Sequence, residues 1–472
     1  MIRGGDIVAP TGPRRADVRV VDGRIAEVEA SLKAEPGDTV IDADGLLVLP
    51  GIIDGHTHFE LDTGKMQTLD DFAAGSASAA AGGVTTYINF APQQKKQSLV
   101  DAVKAERQKA DGHTVVDYAL HLSFGTPGDK WESELDQVVK MGVTSAKVYT
   151  TYTDTIYYTR DWDWYRLMQR SGAVGMLVMV HAENDDILKG RTEELLNQGK
   201  GSFHYHAAAR PEIAEVEAVS RGLAFCRETG SPVYFVHLSS PESVSLVAHA
   251  QSEGLPAFGE VCAHHLSLDD SEYESDQAPR FVMTPPLRPR ATVNRLIQQV
   301  REGLIAASGS DHCGYGLSQR GSDKDFSAAS PGIPGVETLW PVLYTSLVAE
   351  AGMPLAAAID LVTAGPARVF GLWPAKGVIQ PGSDGDIVLY DPSARGPLDE
   401  RSLHSKAAFS PWNGRTVHGK VVRTLSRGTT VYREGTVTGD VGHGRFVPCA
   451  PFNVARARRG GAPTVASSAR RT

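Results

Sequence analysis

The chain repeats one pattern eight times between residues 46 and 311: a short continuous apolar run, a few polar residues, then a longer helix-like segment. Continuous apolar runs, unlike alternating ones, are typical of strands buried on both faces of a parallel sheet. The intervening Ala- and Glu-rich segments are long enough to serve as the crossover helices that parallel strands require. The pattern therefore predicts an α/β fold, a (β/α)8 TIM-like barrel. The eight runs are residues 46–58, 84–90, 115–124, 144–152, 174–181, 232–237, 255–265 and 303–311.

Short strands of a different kind are predicted on both sides of this repeat. The Asp22-Gly23 pair between two apolar runs is typical of a β-hairpin turn. Each flank is too short to bury a core of its own, so we expect the two flanks to pair in one small β-sandwich. The chain would then consist of a barrel at residues 53–373 and a split sandwich at residues 1–52 and 374–452.

The composition excludes several classes of function. The 472 residues include 47 Lys and Arg against 56 Asp and Glu, a formal charge of −9, which gives no general attraction for nucleic acid or anionic membranes. No apolar stretch reaches the roughly 18 residues of a spanning helix and no signal peptide is evident, so we expect a soluble, cytoplasmic protein. The four cysteines are widely separated, which argues against a disulfide framework. We expect the basic residues 453–472, which contain few large apolar side chains, to form a disordered tail.

Potential metal ligands stand in or at the ends of several predicted barrel strands. Their position matters because the carboxyl ends of the strands carry the chemistry in barrels of this kind. His56 and His58 are two residues apart, so in a strand both imidazoles face the same side and can bind one ion. Convergence of the whole set would form a metal site at the mouth of the barrel. The residues are His56, His58, Lys147, His181, His237 and Asp311.

Several of these residues also have a simpler explanation. His181 and His237 could be core histidines bonded to backbone carbonyls, but two at equivalent strand ends favour ligation by neutral imidazole. Lys147 could form a salt bridge, but beside a metal cluster it makes chemical sense as a carbamate, since an ammonium cannot bind a cation. Asp311 could cap the next helix, but at the mouth of the eighth strand a ligand and general base explains it better.

At these residues the sequence resembles the cyclic amidohydrolases, and most closely the dihydropyrimidinase/hydantoinase family. The resemblance runs over nearly the whole chain and includes the segments PGIIDGHTHFE, SAKVYTTY, VHAEN, VHLSS, VMTPPLRP and SGSDHC. It implies a first metal ion held by His56, His58 and Asp311. It also implies a second ion held by His181 and His237, and a carboxylated Lys147 that bridges both. Zinc is the usual metal in such enzymes, and imidazole and oxygen ligands suit it.

The resemblance further implies the reaction and the residues around the substrate. Two metal ions activate water, which opens a hydantoin or dihydropyrimidine ring to an N-carbamoyl amino acid. Asp311 would take the proton and return it to the leaving nitrogen. The hydroxyl of Tyr152 would hydrogen-bond the oxyanion, although a packed strand-end aromatic is the simpler explanation of this residue. Thr284 matches a family serine that holds the substrate ring through its main chain.

Some segments depart from the family pattern. Pro331-Gly332 replaces the usual Asn-Gly before a GVE segment, in which the Asn helps to hold the imide of the substrate. We expect Pro331 to bind the substrate through its carbonyl but without the donor of that Asn. The loop at residues 60–68 is more polar than the apolar lid typical of hydantoinases. Residues 262–265 and 332–335 look more like those of dihydroorotases or allantoinases, but the arginine with which dihydroorotases grip a carboxylate is missing after His58.

The sequence thus predicts a hydrolase of a small cyclic amide or imide, with two alternatives. One alternative is a cyclic amidase that acts on allantoin or dihydroorotate. The other is a non-catalytic scaffold of the same fold, which the presence of the complete ligand set and Tyr152 disfavours. The family usually assembles as homotetramers, so we expect a homo-oligomer, at least a dimer.

Overall fold

Strands and helices alternate from residue 52 to residue 301 in the computed structural model, as the repeated pattern predicts. The structure describes residues 1–9, 12–64, 66–321 and 325–458. Its strands are β1 (Ile2–Ala9), β2 (Gly12–Val21), β3 (Arg24–Glu29), β4 (Ile41–Asp42), β5 (Leu47–Pro50), β6 (Ile52–Thr57), β7 (Val84–Pro92), β8 (Asp117–Ser123), β9 (Ser145–Tyr149), β10 (Leu177–His181), β11 (Val233–Phe235), β12 (Ala257–Gly259), β13 (Ile387–Pro397), β14 (Thr416–Ser426), β15 (Thr429–Arg433) and β16 (Thr436–Val437). Its α-helices are α1 (Phe72–Ala81), α2 (Leu99–Ala110), α3 (Trp131–Lys140), α4 (Asp161–Val174), α5 (Asp185–Asn197), α6 (His206–Ala209), α7 (Glu212–Thr229), α8 (Pro241–Ser252), α9 (Arg290–Arg301), α10 (Leu339–Leu343), α11 (Leu355–Asp360), α12 (Ala364–Val369) and α13 (Val454–Arg458).

Seven of the strands form one parallel sheet in the order β12-β11-β10-β9-β8-β7-β6. Neighbours in the sheet are also consecutive along the chain, so each helical connection returns the chain beside the strand that it has just left. All residues of β8 and β10 are buried, as expected for strands covered on both faces. Because the strands are parallel, their carboxyl ends all lie on one side of the sheet, which we call the carboxyl edge.

The eighth apolar run, residues 303–311, forms no continuous strand, which differs from the expectation. Parallel bridges nevertheless join residue 307 to Glu260, just after β12, and residue 312 to Thr57 in β6. The backbone of Asp311 has a φ of 49°, in the left-handed region, which interrupts an extended conformation. Through isolated bridges instead of a ladder, this part of the chain therefore contacts the two outer strands of the parallel sheet, β12 and β6.

The strands of both flanks lie in a second, nine-stranded sheet. Its path runs β16-β15-β14-β13-β5-β1-β2-β3, with β4 beside β1, and β5 pairs antiparallel with β13. The two flanks share one apolar cluster, to which Val18 and Val48 contribute from one flank and Ile387 and Leu425 from the other. Segments from the two ends of the chain therefore complete one sheet.

Residues 454–458, which we expected to begin a disordered tail, form the short helix α13. Its arginines bind main-chain carbonyls: Arg456 Nε donates to Arg368 at 3.0 Å, and Arg458 Nη2 donates to Leu255 at 2.7 Å. From residue 459 onward the expected tail lies outside the described residues. None of the described helices is both long and apolar enough to cross a membrane.

Candidate metal centre

Three of the predicted ligands meet at the carboxyl edge of the parallel sheet. His56 lies in β6, His58 follows that strand, and Asp311 lies in the segment that bridges the two edges. The Oδ1 atom of Asp311 is 3.1 Å from Nε2 of His56 and 3.3 Å from Nε2 of His58. These three side chains place their donor atoms close enough to share one metal ion.

The other two predicted histidine ligands lie beside this group. His181 ends β10, His237 follows the neighbouring strand β11, and their ring centroids are 4.5 Å apart. The ring of His237 is also stacked on that of His56, with 5.5 Å between the centroids. The ends of β6, β10 and β11 thus bring four buried imidazoles into one cluster, although three strands of the sheet separate β6 from β10.

Lys147, in β9, lies against the three-ligand group. Its Nζ is 2.8 Å from Nε2 of His56 and 4.4 Å from the centre of the Phe90 ring. The residue is 1% exposed, and burial lowers the pKa of its amine to about 8. Within the part of the chain that the structure describes, Lys147 forms no ion pair with a carboxylate, so a salt bridge does not explain its burial.

Two buried glutamates, which the sequence interpretation did not include, bind histidines of the site. Glu260 accepts a hydrogen bond from Nδ1 of His56 at 2.7 Å, so that Nε2 of this ring faces Asp311. Glu183 accepts from Nε2 of His181 at 2.7 Å, which leaves Nδ1 as the ligand atom of that ring. Both glutamates closely follow strands of the parallel sheet, so the strand-end rule that selected the histidines could also have found them.

Arg210 forms an ion pair with Glu183. Its Nε donates to Oε1 of Glu183 at 3.0 Å, and its Nη2 donates to Oε2. Burial alone would raise the pKa of Glu183, but Arg210 and His181 hold the pKa well below its usual range. The guanidinium also lies 5.9 Å from the centre of the Tyr152 ring, and so connects this ion pair to the predicted oxyanion residue.

Close contacts also set the charge of the three-ligand group. Burial would raise the pKa of Asp311, but His56, His58 and His237 hold it well below its usual value. Burial lowers the pKa of His58 to about 4, so this imidazole is neutral and has a lone pair for a metal at neutral pH. The group therefore offers the negative oxygen of Asp311 and two imidazoles, a donor set suited to a divalent cation.

Two buried histidines, His121 and His237, differ in their hydrogen bonds. His121 in β8 uses both ring nitrogens, at 3.0 Å from the carbonyl of Gly55 and 2.5 Å from Oγ of Ser145. His237 has a buried Nδ1 without a hydrogen-bond partner among the described residues. An unsatisfied buried polar atom costs free energy. His121 is therefore a core histidine, whereas hydrogen bonding alone does not account for His237.

Three residues of the site have left-handed backbone conformations, with a φ of 67° at Tyr152, 39° at His237 and 49° at Asp311. This region costs a residue other than glycine roughly 1–3 kcal/mol, and such residues cluster at functional sites. Hydrogen bonds to carboxylates hold two of these backbones. The amide of Tyr152 donates to Asp185 at 2.9 Å, and that of His237 donates to Glu260 at 3.2 Å.

Two of the three residues predicted to bind the substrate contact each other. The hydroxyl oxygens of Tyr152 and Thr284 are 2.6 Å apart, and the Tyr152 ring centroid lies 5.2 Å from that of His181. Burial raises the pKa of Tyr152 to about 12, so its hydroxyl keeps its proton. Pro331 lies on a different loop and is not part of this contact, but the carbonyls on either side of it accept hydrogen bonds from Arg320.

Comparison with known proteins shows similarity over nearly the full chain. The sequence model of the amidohydrolase family matches residues 47–431. The chain is 35% identical over 458 residues to a D-phenylhydantoinase of Escherichia coli O1:K1, covering 96% of this chain and 98% of that protein. It is 36% identical over 457 residues to a D-hydantoinase of Streptomyces coelicolor, covering 95% and 97% of the two chains.

A solved structure shows the same extent of similarity. The crystal structure of a dihydropyrimidinase from Brevibacillus agri matches with a TM-score of 0.93 at 34% identity. The match covers 96% of this chain and 99% of that one. The mixed α/β fold, with its parallel sheet and separate flank sheet, is therefore shared over the whole length.

Proposed function

This chain belongs to the amidohydrolase family, and on that premise we propose that it is a metal-dependent hydrolase that opens the ring of a cyclic amide. The substrate is a hydantoin or dihydropyrimidine, and the product is an N-carbamoyl amino acid. The observation that carries the proposal is the meeting of His56, His58 and Asp311 beside Lys147 at the carboxyl edge of the sheet. Relatives named as hydantoinases and a dihydropyrimidinase, aligned over nearly the full chain, support it.

The donor set fits two divalent metal ions. His56, His58 and Asp311 offer three donor atoms to a first ion. His181 and His237 offer two imidazoles to a second ion, so Lys147 has to supply a further ligand. When bound, the two ions would lower the pKa of a water molecule towards neutrality and polarise the substrate carbonyl. Imidazole and carboxylate donors suit zinc, which we propose as the metal.

Lys147 can serve as this ligand only as a carbamate. An ammonium has three donors and no acceptor, whereas an amine that has added carbon dioxide and lost a proton would present two oxygens that share one negative charge and could serve both ions. Asp311 and Glu260 favour the ammonium form of Lys147, but both contact histidines and neither forms an ion pair with the lysine, and burial outweighs them and lowers its pKa. Nothing in the described chain therefore holds Lys147 as an ammonium ion pair.

The protein groups hold the substrate and move its protons. Asp311 accepts a proton from the attacking water and returns it to the ring nitrogen as the amide bond breaks. The hydroxyl of Tyr152, which keeps its own proton, donates a hydrogen bond to the carbonyl oxygen as negative charge develops there. Thr284, in contact with that hydroxyl, and Pro331 hold the ring through main-chain groups.

Metal analysis and a substrate panel test this function. Protein purified without chelator should contain about two divalent ions per chain and should open hydantoin or dihydrouracil, followed by the absorbance of the ring. Lys147→Ala should lose metal and activity. Absence of a transition metal from the wild type, or full activity in the variant, contradicts the proposal.

Two further outcomes of the same panel distinguish the alternatives. Residues 262–265 resemble those of allantoinases and dihydroorotases, so allantoin and dihydroorotate belong in the panel. Activity on only one of these two compounds would assign the chain to that subclass. Inertness toward every cyclic amide would favour the non-catalytic scaffold.

We also propose that the parallel sheet closes into a (β/α)8 TIM-like barrel over residues 53–373. The parallel bridges from residues 307 and 312 to the two edges of the sheet support closure. Residues 1–52 and 374–452, which supply the flank sheet, then form the second, small β domain. A crystal structure in which residues 303–312 leave the sheet open between β12 and β6 would contradict closure.

We further propose that the protein is a cytoplasmic homo-oligomer, a dimer or a tetramer. The four cysteines are free and buried, which suits a reducing compartment. The oligomer is expected from the family resemblance. Light scattering that gives the mass of a single chain would contradict it.

A further inference from the structure

Arg320 is a buried cation without an anionic partner among the described residues. It is 1% exposed, and its guanidinium donates to three main-chain carbonyls, those of Val282 at 3.2 Å, Ser330 and Gly332. Its Nε is buried without a hydrogen-bond partner, and no carboxylate of the described chain forms an ion pair with it. Burial of an unpaired charge is costly, so stability alone does not explain this side chain.

The three carbonyls belong to the two loops that carry the proposed substrate contacts. One lies two residues before Thr284, and the other two flank Pro331. The loops are also joined directly, since the amide of Gly332 donates to the carbonyl of Val282 at 2.9 Å. The hydrogen bonds of Arg320 therefore join the two loops that carry the proposed substrate contacts. Arg320 lies on the buried side of these loops, which we call the substrate loops.

The turn that carries Arg320 is itself anchored to the loop after β6. Leu317–Arg320 form a short 3-10 helix, and Nε2 of Gln319 donates to the carbonyl of Gln67 at 2.8 Å. The amide of Leu69 donates to the carbonyl of Gly314 at 2.9 Å. These hydrogen bonds hold the main chain at Arg320 in place. The fold therefore determines where its guanidinium lies relative to the substrate loops.

We propose that Arg320 is a positioning residue that holds the main chain around Thr284 and Pro331 in the conformation that binds the substrate ring. It would thereby set the affinity for substrate without taking part in bond breaking. This inference rests on the proposed cyclic amidase function. Lysine cannot replace the arginine, because a single ammonium lacks the planar fork with which a guanidinium reaches several carbonyls at once.

The arrangement accounts for a proline at position 331. The carbonyls of residues 330 and 332 are both drawn to Arg320, so the carbonyl between them is left for the substrate. Proline has no main-chain N–H, and this carbonyl is its only polar group. An imide N–H of the substrate is the complementary donor, and its hydrogen bond would depend on how firmly Arg320 holds the neighbouring residues.

The test compares Arg320→Lys and Arg320→Gln with the control Arg280→Lys in the full-length, metal-loaded enzyme. Arg280 is a matched control because it lies 5.8 Å from the centre of the Phe409 ring, against 5.7 Å for Arg320, but pairs with Glu400. We expect KM of both Arg320 variants to rise about tenfold or more, with kcat within about threefold of wild type. Metal content should stay constant, and the control should keep KM within about twofold.

Rescue by a small cation supplies a second readout. Millimolar guanidinium chloride should lower the KM of Arg320→Ala and should leave that of Arg280→Ala unchanged. An unchanged KM in folded Arg320→Lys, or a loss of metal and kcat at constant KM, would overturn the proposal. Failure of every Arg320 variant to fold would assign the residue to stability and overturn it as well. A wild-type enzyme that opens no ring would instead count against the proposed function.

Discussion

Two lysines of this protein are equally buried, but their surroundings differ. Lys147 and Lys376 are each 1% exposed. Lys147 has Nε2 of His56 at 2.8 Å and no ion pair with a carboxylate in the described chain. The Nζ of Lys376 has three carboxylates around it, those of Asp386 at 2.6 Å, Asp117 at 2.9 Å and Asp384 at 3.1 Å.

The difference suits the proposed roles of the two lysines. A lysine with three carboxylates has all its donors satisfied, and an ammonium cannot add carbon dioxide. A lysine whose neighbouring carboxylates are bonded to histidines can lose its proton and react. Asp117 begins β8 at the amino edge of the sheet, whereas Lys147 lies beside the predicted ligands at the carboxyl edge.

The largest effect is expected from Lys147→Met, which keeps the apolar stem and removes the amine. We expect kcat/KM to fall by on the order of 10⁴-fold, because the metal ions lose their shared ligand. In the metal-free protein, the free energy of unfolding should change by less than about 1 kcal/mol, since no ion pair is broken. Dihydrouracil turnover of the metal-loaded protein and urea unfolding of the metal-free protein check both values. A Lys147→Met variant that unfolds easily yet keeps its activity would assign this lysine to stability instead of chemistry.

The second largest effect is expected from Lys376→Met. Three buried carboxylates would lose their shared cation, which should lower the free energy of unfolding by about 3–5 kcal/mol. The folded fraction should keep the wild-type kcat, because the cluster does not touch the metal ligands. Lys406→Met, which breaks an exposed pair with Asp71, is the control and should cost less than about 1 kcal/mol in urea unfolding. Equal losses of unfolding free energy in Lys376→Met and Lys406→Met would show that the buried carboxylates depend on their lysine no more than an exposed pair does.

Glu260→Gln and Glu183→Gln test the carboxylates that bind histidines rather than a lysine. Each change weakens the hydrogen bond that fixes one imidazole, so we expect the dissociation constant for zinc to rise about 10–100-fold. Glu215→Gln is the control, because this buried carboxylate accepts from serines and contacts no ligand. Competition with a chromogenic chelator measures the affinities. Unchanged zinc affinity in both test variants would show that these glutamates do not position the ligands.

The smallest effect concerns Glu106, a buried carboxylate whose one ion pair within the described chain is with the partly exposed Lys109, at 3.0 Å. Burial raises its pKa from 4.5 to about 7 in spite of Lys109 and Asn89. A raised carboxyl pKa contributes stability that is present at low pH and is lost as the pH rises through about 7. Relative to wild type, Glu106→Gln should therefore gain about 1–2 kcal/mol between pH 5 and pH 8. Urea unfolding at the two pH values checks this, and parallel pH profiles would contradict it.

The residues of the candidate site could be located from the sequence to different degrees. His56, His58 and Asp311 stand at strand ends, and a parallel sheet brings strand ends together whatever the connections contain. Glu260 and Glu183 obey the same rule and were missed, because a carboxylate after a strand is too common to stand out alone. Their roles, like those of the predicted ligands, remain predictions that the experiments above decide.

Other features could not be predicted because they depend on distant segments. The carbonyls that surround Arg320 come from two loops, and no local pattern announces that an arginine will be buried without a carboxylate. The left-handed backbone at Asp311, which turns an expected eighth strand into isolated bridges, depends on contacts with both edges of the sheet. Residues 459–472 lie outside the described residues.

The sequence by itself determined the order of strands and helices and the residues at which the strands end, because hydrophobic periodicity is a local property of the chain. Only the tertiary structure decided which charge faces which partner. Lys147 and Lys376 both have apolar neighbours in the sequence. In the folded chain, however, Lys147 contacts His56, whereas Lys376 contacts three carboxylates. The reason is physical: electrostatic pairing falls off within a few ångströms, and those distances exist only after segments far apart in the chain have packed together.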